Sequence, residues 1–156
     1  MGYFRIARRF EIEAGHRLHK HPGKCRFPHG HTRVVEVVLR APSLDASDMV
    51  CDYKALKQVV VRALERFDHA MLLASDDPLR EAFAPFVERV VLMEEGDPTT
   101  EVIARHLFGV ISGEFRPGAE VQGDDGALYR VPEGVTVERV RVWETPHTWA
   151  EYVAEP

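Results

Sequence analysis

Residues 4–40 read FRIARRFEIEAGHRLHKHPGKCRFPHGHTRVVEVVLR and contain two segments with the alternating pattern of a β-strand. In the first segment, the even-numbered positions are mainly apolar and the odd-numbered positions are mainly charged. The apolar even-numbered positions are Phe4, Ile6, Phe10, Ile12 and Ala14. The second segment runs from about Thr32 to Arg40, and one of its faces carries Val35, Val37 and Leu39. The pattern predicts two half-buried strands that can pair as a hairpin.

Two amphipathic helices are predicted in the middle of the chain. The first is capped by Asp52, carries an apolar stripe as far as Phe67, and has Asp68 and His69 at its end. The second begins after Asp97-Pro98. Between the helices, the segment FDHAMLLASDDP is expected to be a loop, followed by a short helical stretch and the short β-type run VERVVLM.

Strand patterns return after the second helix and complete the fold class. Val121 to Val131 predicts a hairpin around Asp125-Gly126, Val135 to Trp143 predicts a longer strand, and Trp149 to Val153 can pair beside it. Because strands and helices are segregated along the chain, the sequence predicts an α+β fold with an antiparallel sheet. The length of 156 residues and the hydrophobic content of 45% predict one domain over residues 1–156.

Composition excludes several classes of partner. The net charge is −5 and there is no basic run, so a nucleic-acid partner has little electrostatic support. No apolar stretch approaches the roughly 20 residues of a membrane span, and the charged N-terminus lacks the apolar core of a signal peptide. We therefore expect a cytoplasmic protein with a small-molecule ligand, in which Cys25 and Cys51 are reduced thiols.

Five histidines lie in the connection GHRLHKHPGKCRFPHGHT between the two predicted strands. His29 and His31 enter the second strand on the same side, and His16 leaves the first strand on its buried face. If the strands pair, the three imidazoles converge, and three neutral imidazoles with an open fourth position are typical of catalytic zinc. His19 and His21, in the loop, are alternative ligands, and isolated histidines are usually structural.

Cys25 lies four residues before His29 and can reach a substrate held on the metal. As a fourth ligand it would close the site. As a free thiol near zinc, Lys24 and Arg26, it would serve as a general base. Cys51 fits a small buried apolar residue better.

Six short motifs occur in the order found in one known family, and the chain resembles the 6-pyruvoyl-tetrahydropterin synthase and 6-carboxytetrahydropterin synthase family nearly from end to end. The motifs are A-G-H ending at His16, C-x-x-x-H-G-H from Cys25 to His31, D-Y-K-A-L-K from Asp52, F-D-H ending at His69, P-T-T-E ending at Glu101, and W-E-T-P with Glu144. Most of these motifs are weak singly. Together they make a chance match improbable.

The resemblance implies a tunnelling fold (T-fold) and an oligomer. In such a fold, antiparallel sheets from several subunits close into a barrel, with two helices on one face of each sheet. The expected assembly is a homo-oligomer, a trimer or a hexamer of two trimers, with active sites between subunits. Two segments of this chain, residues 74–97 and 121–132, are longer than in compact family members.

The resemblance also implies roles for individual residues. Zn²⁺ would be held by His16, His29 and His31. Cys25 would accept a proton from substrate, and Asp68 and His69 would form a proton relay. Glu144 would anchor the pterin, because a carboxylate can accept two parallel N–H groups of the amino-pyrimidine edge. Thr100 and Glu101 would complete the pocket.

The activity implied is that of a zinc-dependent lyase acting on 7,8-dihydroneopterin triphosphate. The favoured product is 6-carboxy-5,6,7,8-tetrahydropterin, formed with release of acetaldehyde and triphosphate in queuosine biosynthesis, because the chain looks like a short bacterial member. One alternative is triphosphate elimination that keeps the carbon chain, as in the pyruvoyl branch. Another is a zinc- and pterin-binding homologue without turnover.

Overall fold

A six-stranded sheet with two α-helices against one face dominates the structure, a computed structural model that describes residues 2–155. In chain order, the elements are β1 (Phe4–His16), β2 (His29–Ala41), α1 (Tyr53–Leu64), β3 (Ala70–Ala74), β4 (Val90–Met93), α2 (Thr100–Glu114), β5 (Glu120–Gln122), β6 (Leu128–Arg130), β7 (Thr136–Thr145) and β8 (Thr148–Val153). Short 3-10 helices occupy Lys24–Arg26 and Arg80–Arg89. The predicted α+β class is confirmed.

The strand order in the sheet is β4-β3-β1-β2-β7-β8. The pairs β1–β2, β2–β7 and β7–β8 are antiparallel, as predicted. Strand β3 instead pairs in parallel with both β1 and β4. The prediction of a loop for FDHAMLLASDDP was wrong, because its Ala70–Ala74 part is strand β3. This strand is almost wholly buried and apolar, so it lacks the alternation by which a half-buried strand is recognised.

Both helices begin with the side-chain caps that their sequences favour. Asp52 accepts a hydrogen bond of 2.8 Å from the backbone N–H of Lys54, and Thr99 accepts one of 3.1 Å from Val102. Helix α1 ends at Leu64, so the expectation that it extends to Phe67 was wrong. Neither α-helix in residues 2–155 has the length and hydropathy that a membrane span requires.

The core lies between the sheet and the two helices. The inner positions of the central strands and helices are below 5% exposed at Ile12, Val35, Val37, Leu39, Leu56, Val60, Ile103, Leu107, Ile111, Val140 and Val142. These residues belong to one continuous hydrophobic cluster. The alternation of β1 and β2 therefore points their inner side chains into this core, and the same alternation carries on to the histidines at the strand ends.

The predicted hairpin around Asp125-Gly126 is confirmed as the pair β5–β6. Gly126 has φ of +78°, the left-handed region that such a turn needs. The turn packs on α1, where Lys54 Nζ lies 2.9 Å from Asp125 and Gln58 Nε2 donates to Asp124 at 2.7 Å. The pair forms a separate two-stranded sheet, and these contacts hold its turn against α1.

Candidate metal centre

Three histidine rings meet where β1 ends and β2 begins. His16, the last residue of β1, pairs directly with His29, the first residue of β2, and His31 follows two residues later on the same side. The ring centroids lie 4.5 Å (His16 to His29), 5.2 Å (His16 to His31) and 5.0 Å (His29 to His31) apart. One ligand nitrogen from each ring lies within 4.8 Å of the other two, which makes the group a possible metal site.

Backbone carbonyls determine which ring nitrogens are free to bind a metal. His16 Nδ1 lies 2.7 Å from the carbonyl oxygen of Pro98, and His29 Nδ1 lies 2.7 Å from that of Phe27. Because a carbonyl only accepts hydrogen bonds, both Nδ1 atoms carry the proton when the rings are neutral, and both Nε2 atoms carry a lone pair.

The resulting arrangement of lone pairs fits a bound cation. The Nε2 atoms of His16 and His29 face each other at 3.0 Å, and two lone pairs at this distance repel unless a cation lies between them. His31 Nε2 is buried without a hydrogen-bond partner in the described part of the chain. Imidazole nitrogens oriented by carbonyls from behind are a usual arrangement of metal ligands.

Burial favours the neutral form of His16 and His31, which is the form that binds metals. His16 is 1% exposed, and this burial lowers its pKa to about 4, with a smaller contribution from the charge of Arg33. Burial also lowers the pKa of His31, and the Arg33 charge acts in the same direction.

Arg33 is a site residue that the sequence analysis did not single out. It is completely buried and stands two residues after His31 on the inner face of β2. Its Nη2 atom lies 3.2 Å from Nδ1 and 3.3 Å from Nε2 of His16. If Nη2 lay in the ring plane at these two distances, it would collide with the Cε1 atom between the nitrogens. Nη2 therefore lies over the face of the His16 ring. The sequence signal that could have identified Arg33 was a charged residue at a position of β2 where the alternation predicts an apolar one.

Glu144, on β7, brings a carboxylate to the same place. Its Oε1 atom lies 3.7 Å from His16 Nε2 and 3.8 Å from His31 Nε2. Together with Thr100 and Glu101 it lines a hollow of about 200 Å³. The structure thus brings the three candidate substrate-binding residues together beside the histidines, with Thr100 buried and Glu101 exposed.

Cys25 lies on the 3-10 turn Lys24–Arg26 that leads into β2, as a half-buried free thiol. The turn is tied back to the end of β1, because the N–H of Leu18 donates to the Cys25 carbonyl at 2.8 Å. Among residues 2–155, the Cys25 sulfur is not a member of the metal-ligand group. Cys51 is 2% exposed, and burial raises its pKa to about 11, with Asp52 contributing in the same direction.

Asp68 and His69 lie between α1 and β3, so the prediction that they end a helix was wrong. Asp68 accepts a hydrogen bond of 2.8 Å from the N–H of Glu13, and its other oxygen lies 3.0 Å from His69 Nδ1. The Glu13 hydrogen bond, followed by the contact with His69, lowers the pKa of Asp68. The His69 side chain is 74% exposed, and it shares a shallow surface hollow with His31.

The two alternative histidines have other partners. His19 Nε2 lies 3.2 Å from Asp97 Oδ1 and 3.3 Å from Asp76 Oδ1. His21 Nδ1 accepts a hydrogen bond of 2.9 Å from the N–H of Gly23. Neither belongs to the metal-ligand group found in residues 2–155. Their contacts are those of histidines that hold a loop in place.

Comparison with known proteins gives matches over almost the whole chain. Residues 5–155 match the family model described as 6-pyruvoyl tetrahydropterin synthase. A Rickettsia felis protein named 6-carboxy-5,6,7,8-tetrahydropterin synthase is 32% identical over 130 residues, which cover 82% of this chain and 94% of the relative. A Rickettsia conorii protein of the same name is 30% identical over 149 residues, which cover 94% and 98%.

A solved structure supports the fold. The structure of Caenorhabditis elegans 6-pyruvoyl tetrahydropterin synthase superimposes with a TM-score of 0.65 over 99% of this chain and 98% of that chain. Its sequence identity is 22%, so the likeness shows a shared fold and nothing finer.

Proposed function

Because this chain belongs to the 6-pyruvoyl tetrahydropterin synthase family, we propose that it is a lyase that converts 7,8-dihydroneopterin triphosphate into 6-carboxy-5,6,7,8-tetrahydropterin, with release of acetaldehyde and triphosphate. The observation that carries the choice of product is the name of the relatives at 32% and 30% identity, which cover most of the chain. This reaction would belong to queuosine biosynthesis.

We further propose that His16, His29 and His31 hold Zn²⁺. The support is the donor set: three converging imidazoles, two of them oriented by backbone carbonyls, with no cysteine among them. Held by these three residues, zinc would keep one position open and would supply Lewis acidity toward a hydroxyl of the substrate.

Glu144 is proposed to anchor the pterin ring. Its carboxylate stands between the histidine cluster and the hollow lined by Thr100 and Glu101. A carboxylate that accepts two parallel N–H donors fixes the orientation of the ring. The substrate side chain would then extend from the hollow toward the histidines.

Proton transfer is assigned to Cys25 and His69. The Cys25 thiolate would remove a proton from a side-chain carbon of the substrate, and His69, oriented by Asp68, would exchange a proton with the substrate oxygen. His69 is largely exposed in this chain. We therefore propose a homo-oligomer in which a neighbouring subunit covers His69 and completes the site.

The test is incubation of the purified protein with 7,8-dihydroneopterin triphosphate, followed by assays for acetaldehyde and for the pterin product. Formation of acetaldehyde with 6-carboxytetrahydropterin is expected, and Cys25→Ala is the matched control. Loss of triphosphate with a retained three-carbon side chain and no acetaldehyde would identify the pyruvoyl type instead. Absence of turnover, with equal pterin binding by both proteins, would identify a binding homologue.

A further inference from the structure

The carboxylate of Glu144 lies close enough to the histidine cluster to become a metal ligand. Its Oε1 atom is 3.7 Å from His16 Nε2 and 3.8 Å from His31 Nε2. Since zinc binds nitrogen and oxygen ligands at about 2.0–2.2 Å, a small side-chain movement would bring this oxygen onto a metal held by the imidazoles. Three histidines and a carboxylate would then fill four positions and leave none for substrate.

Arg33 contacts the same carboxylate oxygen that faces the histidines. Its Nη2 atom lies 3.7 Å from Glu144 Oε1, and in the described chain Glu144 is the one carboxylate within 4.0 Å of its guanidinium group. The remaining contacts of Arg33 are weak for a buried cation. Nη1 donates to Thr100 Oγ1 at 3.4 Å, and Nε has no partner.

A buried guanidinium with so few hydrogen bonds is stable only beside an anion. Arg33 is 0% exposed and cannot turn toward water. The inner face of β2 and the ring of His16 hold it in place, so its charge is fixed next to Glu144. The carboxylate therefore has two competing partners, the guanidinium and any metal bound by the histidines.

We propose that Arg33 is a positioning residue that holds the Glu144 carboxylate away from the metal, so that the fourth metal position stays open and Glu144 remains available to the pterin ring. This inference deepens the proposed function and rests on it. It also gives a reason for a buried charge at a position where the alternation of β2 predicts an apolar residue.

The test is a double-variant cycle read by Zn²⁺ affinity in competition with a chelator. In Arg33→Met, which keeps the length and loses the charge, Glu144 is expected to join the metal and to tighten zinc binding by about tenfold or more. Glu144→Gln alone is expected to leave the affinity unchanged. The double variant is expected to lose the gain, and Arg33→Lys, the matched control that keeps a charge, is expected to resemble the wild type.

The pattern across variants decides the proposal. Removal of a positive charge would by itself favour zinc, but that effect is the same whether residue 144 is Glu or Gln. An equal gain for Arg33→Met in both backgrounds, or no gain, would therefore overturn the proposal. If Arg33→Met does not fold, Glu144→Gln still tests the premise, because a tenfold loss of zinc affinity would show that Glu144 is already a ligand in the wild type and would overturn the proposal.

A spectroscopic readout reports directly on the open position. In the Co²⁺-substituted wild type, added azide is expected to change the visible absorption spectrum, because it can enter a position not held by protein. In Arg33→Met, azide is expected to have no effect, and pterin, followed by its fluorescence, is expected to bind at least several-fold more weakly. An azide response equal to that of the wild type would contradict the proposal.

Failure of this inference and failure of the proposed function give different results. A wild type that binds zinc and shows the expected affinity pattern but forms no acetaldehyde would disprove the proposed reaction alone. Acetaldehyde formation with equal zinc affinities in the wild type and Arg33→Met would disprove the role of Arg33 alone. A wild type that binds no zinc would disprove both.

Discussion

The Nδ1 atom of His16 donates a hydrogen bond of 2.7 Å to the carbonyl oxygen of Pro98, 82 residues further along the chain. Pro98 immediately precedes Thr99, the residue that caps helix α2. The start of this helix therefore determines which nitrogen of His16 faces the other two histidines. Packing of α2 on the sheet and the chemistry of the candidate metal centre are thus connected through one hydrogen bond.

Metal content is expected to depend on three histidines and not on their neighbours in the loop. Alanine at His16, His29 or His31 removes one ligand, so zinc affinity is expected to fall by more than about 100-fold, beyond the usual cost of losing an outer-shell partner. His19→Ala and His21→Ala are the controls and are expected to retain near-stoichiometric zinc. Elemental analysis of the purified proteins makes the measurement, and zinc loss in the controls instead would refute the ligand set.

The stability of the metal-free protein is expected to fall in mild acid. Burial lowers the pKa of His16 to about 4 in the folded state, against 6.5 ordinarily, so the unfolded chain takes up this proton more readily. The stability that the neutral His16 ring contributes is present in full above pH 6.5. It is lost as the pH falls toward 4, which lowers the free energy of unfolding by about 3 kcal/mol in total. Urea unfolding of the metal-free protein between pH 7.5 and pH 4 measures it.

The variant His16→Asn has no titrating ring at this position and serves as the comparison. Its free energy of unfolding is expected to depend less steeply on pH over the same range. Parallel pH dependences in the wild type and the variant would show that His16 does not cause the loss.

The two cysteines are expected to differ in reactivity and in their importance for turnover. Cys25 is half-buried, whereas Cys51 is 2% exposed with a pKa raised to about 11, so a thiol reagent is expected to modify Cys25 rapidly and Cys51 only on unfolding. Cys25→Ala is expected to lower kcat by about 10²–10⁴, the usual contribution of a general base. Cys51→Ala is the control, and a large loss of kcat there would contradict the assignment.

Asp68 is expected to act on the rate through His69. Asp68→Asn keeps an oxygen to accept from the Glu13 N–H but removes the negative charge beside His69 Nδ1. We expect kcat to fall by about tenfold to 100-fold, with zinc content and pterin binding unchanged. The control is Asp76→Asn, because the Asp76 carboxylate contacts His19 and not His69. A fall in zinc content in Asp68→Asn would point to a structural role.

Much of the sheet and the histidine cluster could be predicted because both depend on one rigid regularity. A strand alternates its side chains with a period of two, so the position of Ile12 in the core also determines the direction of Ala14 and His16. The direct pairing of His16 with His29 needed only that β1 and β2 form a hairpin. These predictions used no contact between distant parts of the chain.

The features that were mispredicted depend on distant contacts. Strand β3 is buried by β1 and β4 in parallel pairs, and a short, wholly apolar run shows no pattern that separates it from a loop or a helix. Because β3 begins at Ala70, Asp68 and His69 lie in a connection beside Glu13 and not at a helix end. The backbone of β1 holds them there.

The sequence by itself determined the α+β class, the family and the three histidines that share one side of a strand pair, because local periodicity and motif order are properties of the chain alone. Only the tertiary structure decided that Pro98 orients His16 and that Arg33 and Glu144 meet beside the histidine cluster. These relationships join residues 82 and 111 positions apart. Which side chains meet over such separations is set by how the sheet and α2 pack, and no local pattern encodes that packing.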